Sequence, residues 1–143
     1  MSLKLPTGLI SPEKAKELNQ QFIKTRSKEL DKIVEKLDSK PKKKDALSSW
    51  FSLEEIKNYI AYVESKAPDV NGLRIYFGAY AKKEHNIDKS NTSTVFFVPT
   101  RIAPGSSQKD GIGDPDEGGS DIDDLEGLNK GAMGNPPSGE YPQ

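Results

Sequence analysis

Between Pro12 and Leu37 apolar side chains recur at intervals of three, four and seven: Leu18, Phe22, Ile23, Leu30, Ile33, Val34 and Leu37. Spacing near 3.6 places such residues on one stripe of a helix. Ser11-Pro12-Glu13 supplies the start: a hydroxyl to accept an orphan amide, proline at the first helical position, and an acid in the first turn. The pattern stops at Asp38-Ser39-Lys40-Pro41, because the residue before a proline is pushed out of the helical region. An amphipathic helix of about 26 residues is expected, followed by a basic linker from Lys40 to Lys44.

A second helix is announced more sharply. Ser52 and Glu55 form a capping box, and Phe51 and Ile56 are placed as the hydrophobic staple across it. Leu53, Ile56, Ile60, Val63 and Ala67 then give one apolar stripe, which Pro68-Asp69 and Asn71-Gly72 end, so the helix should cover about 52–67. Two runs rich in β-branched and aromatic residues follow and predict strands over about 73–81 and 94–99. In the first, Leu73, Ile75, Phe77 and Ala79 share one face, and Arg74, Tyr76, Gly78 and Tyr80 share the other. The 13 residues from Ala81 to Ser93 are short for a parallel crossover, which favours antiparallel pairing.

The last 40 residues read differently. They hold 9 of the 12 glycines and 5 of the 10 prolines, with only Ile112, Ile122, Leu125, Leu128 and Met133 as sizeable apolar residues. Such a segment loses more entropy on ordering than its burial returns, so a disordered tail is expected, with a short helical turn conceivable over Ser120 to Leu128. Charge divides along the same lines. The net charge of −1 covers 12 basic against 7 acidic side chains in residues 1–50, 7 against 6 in 51–103, and 2 against 9 in 104–143. The acidic tail is therefore expected to fold back over the basic helix, screened by salt.

These readings combine into an α+β chain: an amphipathic helix and basic linker over 1–45, a small core over 46–103, and an acidic Gly/Pro-rich tail over 104–143. One helix and two strands bury too little to stand alone. The sheet should be completed by the long helix packing on it, or by strand pairing with a second copy.

Three phrases carry a resemblance: Trp50-Phe51-Ser52-Leu53-Glu54-Glu55, Gly72-Leu73-Arg74-Ile75-Tyr76-Phe77-Gly78-Ala79-Tyr80, and Thr94-Val95-Phe96-Phe97-Val98-Pro99-Thr100. Their wording is similar to a group of small Bacteroidota-type bacterial proteins with no assigned activity. The likeness spans roughly 50 of 143 residues, with weaker similarity from Asn129 to Pro137. It implies domain boundaries and a bacterial source, and no catalytic role.

The inventory for chemistry is thin. With no cysteine, thiolate metal sites, disulfides and cysteine nucleophiles are excluded. The single histidine, His85, sits in a polar loop without a ligand partner at helical spacing. From Asp110 the third, sixth and twelfth residues are Ile112, Pro115 and Asp121, which breaks the EF-hand pattern. No nucleophile elbow and no phosphate-binding glycine loop occur. No metal and no cofactor are called for. A mean hydropathy of −0.74, no signal-like start and no run of ~20 apolar residues point to a soluble, cytoplasmic protein with no membrane span.

What remains is the strand face of Arg74, Tyr76 and Tyr80, joined by Tyr59, Arg101 and His85 as candidate binding residues. Arginine and tyrosine bury area at low entropic cost and keep polar tips, which suits docking. The leading expectation is a non-enzymatic interaction module that uses this face to engage another protein or a second copy. Packing of this face by the N-terminal helix is the alternative within the fold. A small-molecule binder or small enzyme, with these residues lining a polar pocket between helix and sheet, is the functional alternative. Nucleic acid is disfavoured by the middle segment's charge and the lack of an RNA-binding phrase.

Overall fold

A computed structural model describes residues 3–83, 88–102, 118–129, 132–133 and 139–143. The long helix forms as α1 (Pro12–Phe22), a π-helical turn over Ile23–Ser27, and α2 (Lys28–Asp38). Ser11 caps it, its Oγ accepting from Lys14 N at 3.0 Å. Within the π turn the Thr25 hydroxyl donates to the Gln21 carbonyl at 2.6 Å, a side-chain bond that competes with the helical ladder. The helix ends with Ser39 in the left-handed region at φ 51°.

Only part of the apolar stripe is inside. Val34 is buried, whereas Leu18, Ile33 and Leu37 stay more than half exposed. The line that faces the rest of the chain includes polar residues, and two of them are anchors. Asp31 accepts from the Asp45 amide at 2.7 Å. Asp38 binds Lys43, the Ser90 hydroxyl and the Asn91 side-chain amide, while Lys43 also reaches the Ser90 carbonyl at 3.0 Å. Buried Asp45 in turn accepts from the amides of Ala46 and Ser93 and from the Ser93 hydroxyl. The helix is thus tied to the linker and to the start of a strand by carboxylates rather than by its leucines.

After a two-residue strand β1 (Ser49–Trp50), helix α3 (Leu53–Lys66) begins at Ser52, whose Oγ accepts from Glu55 N at 3.0 Å. Strands β2 (Val70–Ala79) and β3 (Ser93–Arg101) pair antiparallel, with Arg74 opposite Val98, Ile75 opposite Phe97 and Tyr76 opposite Phe96. The ladder shifts register between Val70 and Gly72 and is regular from Gly72 onward.

The third strand comes from the tail. β4 (Ser120–Asp121) pairs antiparallel with Thr100 and Arg101, giving the order β2-β3-β4. The Ile122 amide continues to the Pro99 carbonyl at 2.9 Å, and Leu128 exchanges two hydrogen bonds with Phe97 at 2.9 and 3.0 Å. β5 (Ala132–Met133) pairs with β1. The helical turn conceived over Ser120 to Leu128 does not form; that stretch is strand, turn and bridge. This third strand from the chain's own tail is an addition not expected from the sequence, and it covers the β3 side of the sheet. Of the rest of the tail expected to be disordered, 104–117, 130–131 and 134–138 lie outside the described residues and 139–143 within them.

Helix α3 packs on the face that carries Leu73 and Phe97, where Phe51 meets Phe97 edge-on at 5.0 Å between ring centroids. Tyr59, Val63 and Ala67 are its buried side. The expected apolar face is only partly covered: Ile75 is 54% exposed and Phe77 89%. Length gives the reason. Fourteen helical residues span about 21 Å, against roughly 33 Å for a ten-residue strand.

Candidate functional site

Arg74, Tyr76 and Tyr80 stand on the face opposite α3, as strand alternation requires. That face is not bare. Arg74 donates through Nη1 to the Asp121 carboxylate and through Nη2 to the Gly119 carbonyl at 2.6 Å. The Tyr76 hydroxyl donates to the other Asp121 oxygen, and its ring stacks on Phe96 at 5.3 Å. Tyr80 donates to Asn129 Oδ1 at 3.1 Å and accepts from the Thr94 hydroxyl at 3.2 Å, with the Lys83 ammonium 4.4 Å above its ring. Asn129 also donates to the Val95 carbonyl at 2.9 Å. Residues 118–129 therefore line the outer edge of β3 from Arg101 to Thr94 and fill the Arg/Tyr face with their own acid and amide side chains.

The electrostatics follow from those bonds. The hydrogen bond from Tyr76 holds the Asp121 carboxyl below the usual carboxylate range, and Arg74 adds to this against the cost of desolvation. The same carboxylate pushes the Tyr76 phenol upward. A second pair repeats the pattern, with Tyr62 lowering Glu126 and Glu126 raising Tyr62. Tyr59, buried on α3, donates to the Glu126 backbone carbonyl at 2.9 Å, and desolvation raises its phenol.

Two glycines show how closely the segment lies. A Cβ on Gly119 would sit 2.4 Å from the Arg101 carbonyl oxygen, and one on Gly127 would sit 2.9 Å from that of Phe97. Only a residue without a side chain fits against a backbone at that distance.

The remaining candidate residues do not join this face. Tyr59 belongs to α3 on the other side of the sheet. Arg101, alternating with Thr100, points away from Arg74 and pairs with Asp69, whose carboxylate lies 3.1 Å from Nε without the alignment of a hydrogen bond. His85 lies outside the described residues. A cleft of about 270 Å³ does lie between α3 and the start of β2, but it is lined by Ile60, Val63, Glu64, Val70 and Leu73 among others, and by none of Tyr59, Arg74, Tyr76 or Arg101. Among the described residues, Tyr59 and Arg101 thus share no pocket with Arg74, Tyr76 and Tyr80.

Compared with known proteins, the chain matches no family model, no curated protein and no solved structure. Among the described residues no helix is long and apolar enough to cross a membrane, and no three metal-ligating side chains gather.

Among the described residues the acidic tail folds back chiefly onto the sheet and α3, and much of its acidic run, Asp110 to Glu117, lies outside the described residues. Its 118–129 stretch meets β3, Arg74 and the tyrosines of α3 and β2. The helix is reached by the last residues, through amide side chains: the Tyr141 amide donates to Asn19 Oδ1 at 2.9 Å, and Gln20 donates to Glu140 at 3.2 Å. Sequence reasoning found Arg74, Tyr76 and Tyr80 and missed Asp121 and Asn129, the groups they hold, and Glu126, which Tyr59 and Tyr62 hold. A signal was available in Gly118-Gly119-Ser120-Asp121-Ile122, where paired glycines precede a polar-apolar alternation carrying the charge that Arg74 lacks.

Proposed function

We propose that this chain is a non-enzymatic protein-interaction module whose Arg74/Tyr76 face and adjoining β3 edge hold an extended acidic segment. Residues 118–129 are the occupant the chain itself supplies, and a partner protein presenting a similar acidic strand exchanges with it. The observation that carries the reading is the clasp on Asp121. Arg74 and Tyr76 take its two oxygens separately while β4 adds to the sheet through backbone bonds, the two halves of recognition by strand addition. Main-chain pairing supplies affinity of a sequence-tolerant kind, and the charged clasp supplies the choice of an acid at one position. The Arg101–Gly119 and Phe97–Gly127 approaches add a demand for small residues on either side of it.

A fluorescein-labelled peptide of residues 118–129, titrated into the full chain and followed by polarisation, tests this. Asp121→Ala, which loosens the resident segment, should bind the peptide more tightly than the unaltered chain, and adding Arg74→Ala should abolish that binding. No binding to the Asp121→Ala protein, or binding indifferent to Arg74, would defeat the proposal.

A further inference from the structure

The tail closes one side of the sheet and leaves the other. β3 is central, and among the described residues β2 has no strand neighbour on its outer side. Natural edge strands are usually blunted by lysine, proline, a bulge or shortness. β2 is ten residues long, and from Gly72 to Ala79 it has no proline, no lysine and no register shift. Its two most exposed apolar side chains, Ile75 and Phe77, point to the same face and are 54% and 89% exposed. A phenylalanine so open on a strand carries a standing cost in hydration that a neighbouring strand would remove.

We infer that β2 pairs with β2 of a second copy, antiparallel about a two-fold axis at Tyr76, joining two three-stranded sheets into one of six strands. The sequence of the edge specifies this occupant and this register. An antiparallel self-pairing keeps the apolar face continuous only if residues of like orientation oppose each other. The bulge confines regular pairing to Gly72 onward, and the Tyr80 amide extends the ladder to the Thr92 carbonyl at 3.0 Å. The centre of Gly72–Tyr80 is Tyr76. Pairing about that residue sets Ile75 against the second copy's Phe77 twice over, the cross-strand aliphatic-aromatic contact that sheets favour.

The same register sets Arg74 against Gly78, avoiding the repulsion of Arg74 facing its own copy. It leaves the guanidinium room to keep its hold on Asp121. Gly78 has no need of its small size within one chain. A Cβ there would meet the Phe96 ring at 3.5 Å, an ordinary contact, and its backbone is not left-handed. Space for an arginine arriving from across the edge is a use for it. The acidic segment 118–129 does not compete, because it already occupies the far side of β3. The pairing uses the outer edge of β2, on the opposite side of the sheet from the β3 edge that takes β4, and stands whether or not an outside partner exchanges there.

The test uses the full chain, with mass by sedimentation equilibrium over a range of concentrations. The unaltered protein should approach twice 15.7 kDa, and Phe77→Lys, which alters an exposed side chain and charges the edge, should remain at 15.7 kDa. Because the chain has no cysteine, Tyr76→Cys reports register directly. A self-opposed position brings Cα atoms within disulfide reach, so mild oxidation should give a covalent dimer. Ala79→Cys, with its two copies ~20 Å apart in this register, should not. A monomer at all concentrations, a dimer that survives Phe77→Lys, or preferential linkage through position 79 would each overturn the inference.

Discussion

Replacing Ile122 by alanine separates a tail that belongs to the fold from one that merely hangs on it. Ile122 is 2% exposed, as buried as Val34 and Val63, although it lies in the segment with the poorest apolar content of the chain. Removing an isoleucine from such a site costs about 2–5 kcal/mol, the lower part of the range applying where the surroundings can collapse into the gap. Here the neighbouring strand is two residues long, so partial collapse is expected and about 2–3 kcal/mol is the working figure. For a chain of this length that corresponds to a fall in Tm of about 8–12 °C. The comparison is Leu9→Ala, an exposed leucine whose loss should stay within about 0.5 kcal/mol. Both variants would be unfolded in urea and by heat, followed by far-UV circular dichroism. Equal midpoints for Ile122→Ala and Leu9→Ala would refute the reasoning, because the tail would then contribute no core.

Two further outcomes follow from the same segment. Asp121 and Glu126 have folded-state pKa values below their usual range, so the stability they lend is present above that range and is lost as pH falls through the lowered values. Tyr76 and Tyr62 are raised, so their share is present below the ordinary tyrosine pKa of about 10 and is lost as pH rises through the raised values. Amide NMR signals of residues 118–129 should therefore hold their folded positions across neutral pH and move at both extremes; detachment while the carboxylates are ionised and the phenols neutral would contradict this. Gly119→Ala should destabilise the chain by about 1–3 kcal/mol, since its Cβ would lie 2.4 Å from the Arg101 oxygen, whereas Gly8→Ala, with nothing within 4 Å, should be near neutral in urea unfolding.

The elements that were legible in the sequence are those specified by local rules. Ser11-Pro12 and Ser52-Leu53-Glu54-Glu55 give their helix starts because a capping bond spans only three residues. The strand runs gave β2 and β3 through β-branched and aromatic content. What escaped depends on partners far along the chain. Glycine lowers the tendency to order and also permits close approach of two backbones, so Gly119 and Gly127 look alike in composition whether they loosen a tail or seat it. Asp31 lies outside the apolar pattern and Asp38 stands where that pattern stops, yet they hold the linker and the β2–β3 connection, because a carboxylate can satisfy several donors where a leucine could not. The Arg74 face was found from its own residues, but its state was decided by Asp121, 47 positions away.

The late position of β4 has a consequence for how the chain is made. The outer edge of β3 has its partners only once residues 118–129 exist, and 28 residues separate Arg101 from Asn129. At synthesis rates of roughly 5–20 residues per second, β3 waits on the order of a few seconds after its own completion with that edge uncovered. During that interval the β2–β3 pair lacks the strand neighbour that β3 has in the folded chain, and its aromatic residues Phe96 and Phe97 lie on the strand whose edge is bare. Slower translation between Ile102 and Asn129 lengthens that interval, a vulnerability set by the order of the strands along the chain and distinct from final stability.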